Sequence, residues 1–243
     1  MITSFFTTTI FQPLYNGLIF LMASIPFADA GVVIIIFTII VKLVLLPLSL
    51  KASKAQIEMK AIEKDLQKIK DTYKDNKEEL SKKTIEYYQE KGINPFASIL
   101  ILIIQLPIVI GLYQVFLKSG LPSVETTLLY TFVTAPVAIN MMFLNIINIS
   151  QKSVVLAIIA GITTYMQISL ANNNQQQPSG SGMQNDIARA MAVQMKYVFP
   201  IIVTFICYSI SSALALYWIT SNIFAVLQEI YIKKKYHQSV AVI

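Results

Sequence analysis

Five stretches of the 243-residue chain stay apolar for about the 20 residues that a helix needs to cross roughly 30 Å of hydrocarbon. They are Gly31 to Leu50, Pro95 to Leu117, Ser153 to Leu170, Tyr197 to Ile210 on a helix that starts near Ala192, and Ser212 to Ile232. A sixth, Thr126 to Ile149, is also apolar but contains Pro136, Asn140, Asn145 and Asn148. Such residues break a lipid-facing helix or leave polar groups without partners in hydrocarbon, so this stretch is expected to lie in the interface. Phe5 to Phe27 is interrupted by Pro13, Asn16, Gly17 and Pro26 and followed by Asp29, a pattern that suits an interfacial helix on the outer face. A true span there is the alternative, and it would flip only the N-terminus. The first thirty residues carry no Lys or Arg, so they are expected to be mature protein and not a signal or transit peptide.

Between the first two spans the period changes. Ala55, Met59, Ile62, Leu66, Ile69 and Tyr73 follow one another at steps of three and four, which places them on one stripe of a helix. Asp75 followed by Glu78 predicts a cap that opens a second helix through about Glu90, and Gly92 with Pro95 closes it. Eleven lysines face nine acids from Lys51 to Lys91, so the hairpin is nearly neutral. It reads equally as a solvated coiled-coil-like pair and as a docking surface. Residues 172–186 are rich in Asn, Gln, Ser and Gly and predict a flexible loop. Met183, Met191 and Met195 beside it suit either an adaptable apolar face or plain helix packing.

Composition agrees with this pattern. Hydrophobic residues make up 55% of the chain, charged residues 13%, and the mean hydropathy is +0.62, where a soluble chain is about 25% charged. A single cysteine, Cys207, and a single histidine, His237, exclude a disulfide framework, a Cys/His zinc site and a Cys/His or Ser/His catalytic pair within the chain. No cofactor and no metal site is expected. No pair of intramembrane aspartates is present either, which removes intramembrane aspartyl proteolysis.

The net charge of +6 acquires meaning once it is placed on the two sides of a membrane. With five spans and the N-terminus outside, the eleven hairpin lysines, Arg189, Lys196 and Lys233 to Lys235 fall on the cytoplasmic side, against Lys118 and Lys152 outside. That is the asymmetry that sets topology, and counting the sixth stretch as a span weakens it. The Lys233 to Lys235 cluster then sits at anionic lipid headgroups, and no direct nucleic-acid recognition is expected. The organisation is thus an outer N-terminal segment at 1–30 and spans at 31–50, 95–117, 153–171, 192–210 and 212–232. A cytoplasmic hairpin occupies 51–94, an outer interfacial loop 118–152, a cytoplasmic loop 172–191 and a cytoplasmic tail 233–243.

One charge remains inside a span. Lys42 lies eleven residues after Gly31 and nine before Lys51, roughly 13 to 17 Å from either end. A lysine there costs about 2.5 to 3.5 kcal/mol on insertion scales, and such residues face protein or water and mark function. The alternative is a span that ends near Pro47 and lets Lys42 snorkel to the headgroups. Asp29, Glu125 and Glu229 all fall at the edges of apolar runs, so a buried ion pair is not expected. A wet cavity lined by Gln105, Thr163, Gln167, Ser209 and Asn222 would lower the cost, although each of these could equally make an ordinary helix-to-helix hydrogen bond.

In order along the chain stand a cation followed by Leu46-Pro47-Leu48, a charged hairpin, Asn94-Pro95, Gln105-Leu106-Pro107, Phe199-Pro200, and Leu216-Tyr217-Trp218 followed by Ser221-Asn222. In these pieces and in its five spans the sequence resembles the YidC/Oxa/Alb membrane protein insertases over almost its whole length. The resemblance implies an all-α polytopic membrane protein of the bacterial cytoplasmic membrane. Its five transmembrane helices would surround a polar groove open to cytoplasm and lipid, with a cytoplasmic helical hairpin and an outer interfacial N-terminal helix. It also implies a non-enzymatic insertase and chaperone that takes the hydrophilic segment of a nascent membrane protein into a cationic groove and releases the apolar span to lipid. The groove residues on this reading are Lys42, Gln105, Gln167, Tyr217, Trp218 and Asn222, where Tyr217 and Trp218 either line the groove or pack the core. The partners are nascent membrane proteins, with the ribosome and a Sec translocon as further candidates, although the short tail does not support a strong tail-mediated ribosome contact. The chain departs from the family in having Lys42 where bacterial members usually place arginine, and Ser211-Ser212-Ala213 where a Pro-Ser-Gly-like turn is frequent. A small anion transporter or channel with Lys42 as its site is the alternative; it would commonly show two related halves, and no internal repeat is present.

Overall fold

The computed structural model describes residues 5–74, 76–94, 106–115, 121–172 and 190–240. A π-helical turn at Thr7–Phe11 leads into α1 (Gln12–Ser24), and a bend leads to α2 (Ala30–Ala61). Helices α3 (Glu63–Thr72) and α4 (Lys77–Glu90) form the hairpin. An apolar helix, α5, is described over Leu106–Val115. The loop after it holds a 3-10 turn at Thr126–Leu128 and a two-stranded antiparallel ribbon, β1 (Met142–Phe143) with β2 (Ile147–Asn148), in which Met142 faces Asn148 and Phe143 faces Ile147. Helix α6 (Val154–Asn172) follows, then α7 (Phe199–Ile210), which continues a helical run from Ala190, and α8 (Ser212–Val240).

Four of the five expected spans coincide with helices long and apolar enough to cross a bilayer: Ala30–Met59, Val154–Ala171, Ala190–Ile210 and Ser212–Lys235. Of the fifth, 95–117, only α5 is described. Thr126 to Ile149 is not helical beyond its one 3-10 turn, in keeping with its proline and asparagines.

The core occupies one end of the bundle, here the loop end. Tyr15, Leu18 and Ile19 of α1, at helical spacing, are fully enclosed. They meet Val33, Ile34 and Phe37 from the first turns of α2, Ala157 and Ala160 of α6, Val203 and Cys207 of α7, and Ala213 to Tyr217 of α8. Small residues let these helices approach closely, as membrane helix packing favours. At Gly161 a side chain would run into Thr204 Oγ1 and meet the Pro200 carbonyl at 3.2 Å, and the Phe143 ring packs against Gly31.

Polar side chains from α1 and α2 hold the loop over this end. Asn16 Nδ2 donates to Leu128 O at 2.9 Å, and its Oδ1 accepts from Tyr130 N at 2.7 Å. The Tyr15 hydroxyl accepts from Glu125 N at 2.8 Å. Asp29 caps α2 through Val32 N at 2.9 Å and reaches Leu144 N at 3.0 Å with its other oxygen. Ser211 alone, in extended conformation, joins α7 to α8. The first amides of α8 are met by loop carbonyls, Ser212 N by Gln151 O at 2.9 Å and Ala213 N by Ile149 O at 3.1 Å.

At the opposite, hairpin end, α2 runs without a break past Leu50 to Ala61. The predicted apolar stripe faces inward: Ala55 and Leu66 are buried, and Met59, Ile62, Ile69 and Tyr73 are half-buried. The cap of α4 differs from the expected Asp75–Glu78 pair. Asn76 is the capping residue, its Oδ1 accepting from Glu79 N at 3.2 Å, and its Nδ2 lies 3.3 Å from Glu79 Oε2. The pattern is present in both registers, and the helix starts one residue later than predicted, at Lys77. Gly92 closes α4 with φ +65. Its amide donates to Gln89 O at 3.1 Å and that of Ile93 to Tyr88 O at 3.0 Å, a closure that needs a left-handed residue after the helix.

Candidate functional site

Above the loop-end core the helices diverge around a cavity of about 450 Å³. The wall that α2 contributes includes Lys42, Leu45, Ser49, Ser53 and Gln56; their spacings of three and four keep them on one face. Leu43 and Val44, on the opposite face, are 52% and 71% exposed. Lys42 therefore points inward because helical geometry puts its apolar neighbours outward. It lies twelve residues from Ala30, about 18 Å along the axis, where the core gives way to the cavity.

Helix α8 forms the facing wall with Trp218, Ser221, Asn222, Ala225, Gln228 and Glu229, again one stripe. Thr164 and Gln167 of α6, Met195 in the helical run that leads into α7, Phe199 at the start of α7, and Val109 of α5 also line it, with Tyr217 at the junction with the core. Asn222 is buried, and its Nδ2 donates to Thr164 Oγ1 at 2.8 Å and Thr163 Oγ1 at 3.1 Å. Ser49 Oγ donates to Gln228 Oε1 at 2.9 Å and ties α2 to α8. Lys233 Nζ donates to Leu170 O at 2.8 Å, at the C-terminal end of α6, where a cation is favoured, and lies 3.9 Å from the Glu229 carboxylate.

Five of the six residues expected in the groove, Lys42, Gln167, Tyr217, Trp218 and Asn222, thus line one cavity. Gln105 lies outside the described residues, as does Met183. Thr163 reaches the site through its bond to Asn222. Ser209 does not belong to it: it is exposed near the loop end of α7, and its hydroxyl bonds Phe205 O at 2.7 Å. Met195 lines the cavity while Met191 is 60% exposed. Glu229 also departs from expectation. It is at an edge by sequence, yet it shares the cavity with Lys42, because α8 continues as a helix through Val240. Ser49, Ser53, Gln56 and Gln228 also line the cavity; Ser49 and Gln228 stand out in the sequence as polar residues on apolar stretches, whereas Ser53 and Gln56 lie past the apolar run among lysines and carry no such signal.

Four helices long and apolar enough to cross a membrane, with almost no strand among the described residues, define an all-α polytopic membrane protein. The family model described as 60Kd inner membrane protein matches residues 21–239, and the chain belongs to this family, that of the YidC-type proteins which its sequence resembles. Among curated relatives it is 34% identical over 205 residues to the membrane protein insertase YidC of Fusobacterium nucleatum, covering 84% of this chain and 86% of the relative. It is 34% identical over 210 residues to the one of Clostridium tetani, 86% and 84% covered. To that of Oceanobacillus iheyensis it is 30% identical over 231 residues, 93% and 83% covered. The anion-transporter alternative finds no support in these relatives.

Proposed function

We infer that this chain is a membrane protein insertase, as its relatives are named, and that the Lys42 cavity is the groove in which it receives the hydrophilic segment of a nascent membrane protein. The hairpin end faces the cytoplasm, since the lysines of α3 and α4 gather there and cytoplasmic segments carry the excess of cations. Water fills the cavity from that side and hydrates Lys42, which lowers the cost of a cation at this depth. An acidic client segment enters, attracted by the ammonium group in a medium less screening than bulk water. The client's apolar span passes to lipid, driven by burial of its side chains in hydrocarbon, and no nucleotide is required.

The observation that carries this reading is the position of Lys42 on the inward stripe of α2, at the end of the cavity that borders the core. Its test is insertion of a single-span client into proteoliposomes containing the purified chain. Lys42→Arg should keep activity, and Lys42→Ala should slow a client with an acidic translocated tail several-fold more than a neutral one. Equal performance of Lys42→Glu and the wild type on the acidic client would refute the groove role.

A further inference from the structure

The cavity is not uniformly cationic. Glu229 lines it together with Lys42, and the Ser49–Gln228 bond sets the register of α2 against α8 and with it the axial offset of the two residues. Helices α2 and α8 both run from the loop end toward the hairpin end, since Ala30 and Ala213 border one small cavity at the loop end. Lys42 precedes Ser49 by seven residues, about 10 Å along the axis, and Glu229 adjoins Gln228. The groove therefore presents a cation at its blind end and an acid about 10 to 12 Å nearer its mouth. Lys233 holds the carboxylate from the hairpin side at 3.9 Å. A carboxylate has about four lone-pair sites, so holding Lys233 and receiving a second donor are compatible.

We propose that Glu229 is a second specificity-determining residue of this groove, one that reads a basic residue trailing an acidic one in the client's translocated segment. An extended chain rises about 3.3 Å per residue, so the base is read three or four positions behind the acid for a client that enters N-terminus first. This rests on the insertase reading above and adds to it a preference for dipolar segments over purely acidic ones. It also gives a reason for an acid in a site that otherwise attracts acids: alone it would repel them, but paired with a trailing lysine it sets the depth at which the client's acid meets Lys42.

The test uses the full chain in proteoliposomes without a membrane potential, corrected for protein-free vesicles. The clients are single-span proteins with an N-terminal tail carrying Asp followed four residues later by Lys, Ser or Asp, and a neutral-tail client is the reference. Protease-protected tail is the readout. In the wild type the Asp/Lys client should exceed the Asp/Asp client by about three- to fivefold, the size of a partly screened charge pair. Glu229→Gln, which can still hydrogen-bond Lys233, should flatten the preference at the trailing position, and Glu229→Lys should reverse it toward Asp/Asp. Unchanged discrimination of the trailing charge by Glu229→Gln overturns the proposal while leaving the Lys42 groove standing. Indifference of every variant, Lys42→Ala included, to both leading and trailing charge overturns the proposal and the groove reading together.

Discussion

Gly161 shows how little room a single side chain has in this bundle. Even a methyl group there would overlap Thr204 Oγ1, so Gly161→Ala should overpack the α6–α7 crossing and lower stability by about 1–3 kcal/mol. Thr204→Ala in the same molecule should return most of that loss, since neighbouring substitutions couple. Thermal unfolding in detergent, run as a double-mutant cycle, measures it, and additive effects would show that the two residues do not meet. Lys42 was legible because a lone charge within an apolar run has few inexpensive environments. Glu229 was not, because four residues before a lysine cluster it resembles an ordinary interfacial acid. Only the continuation of α8 and its register against α2 bring it to the cavity.

At the scale of elements the hairpin is the least apolar part, and charge pairs dress its surface. The Tyr87 hydroxyl donates to Asp65 Oδ2 at 3.1 Å and links α4 to α3. Hydrogen bonds from Lys68 and then Tyr87 hold the Asp65 carboxyl below the usual aspartate range. A depressed carboxyl contributes stability that is complete above its unfolded pKa and is lost as pH falls through the folded one. The distance between spin labels on the two arms should therefore stay constant from pH 7 to about pH 5 and widen only below the ordinary aspartate value near 3.9. Tyr87→Phe should remove the inter-arm part of that change. Asn76→Ala should cost about 1 kcal/mol of α4 stability, seen as faster hydrogen exchange at Glu79. The apolar stripe of this hairpin and the Gly92 stop could be read from spacing. Its first arm could not be separated from the first span, because a change from apolar to polar residues at Leu50 changes the solvent around a helix without ending it. The register of the cap was ambiguous because Asp75 and Asn76 each stand three residues before a glutamate.

For the whole molecule, the proposed groove needs one closed end and one open end. A cysteine replacing Lys42 in a Cys207→Ser background should react with a membrane-impermeant thiol reagent added to the cytoplasmic side of oriented vesicles and not from the other side. Reaction from both sides would mean that the loop-end core does not seal. The span pattern foretold four of the long apolar helices of this architecture. It could not foretell the closure, which depends on Asn16 and Tyr15 meeting residues more than a hundred positions away and on Asp29 meeting Leu144. Such pairings leave no local periodicity.

A sealed loop end would also reshape the electric field. If water reaches Lys42 from the hairpin end, the potential difference between the two compartments falls across the packed region from Lys42 to Ala30, about 18 Å deep, instead of about 30 Å of hydrocarbon. The local voltage gradient is then steeper by roughly two thirds, while each elementary charge still gains about 2.3 kcal/mol per 100 mV over the full drop. On the proposed groove and orientation, an anionic tail at the blind end of the pocket would stand where an inside-negative membrane concentrates its outward push.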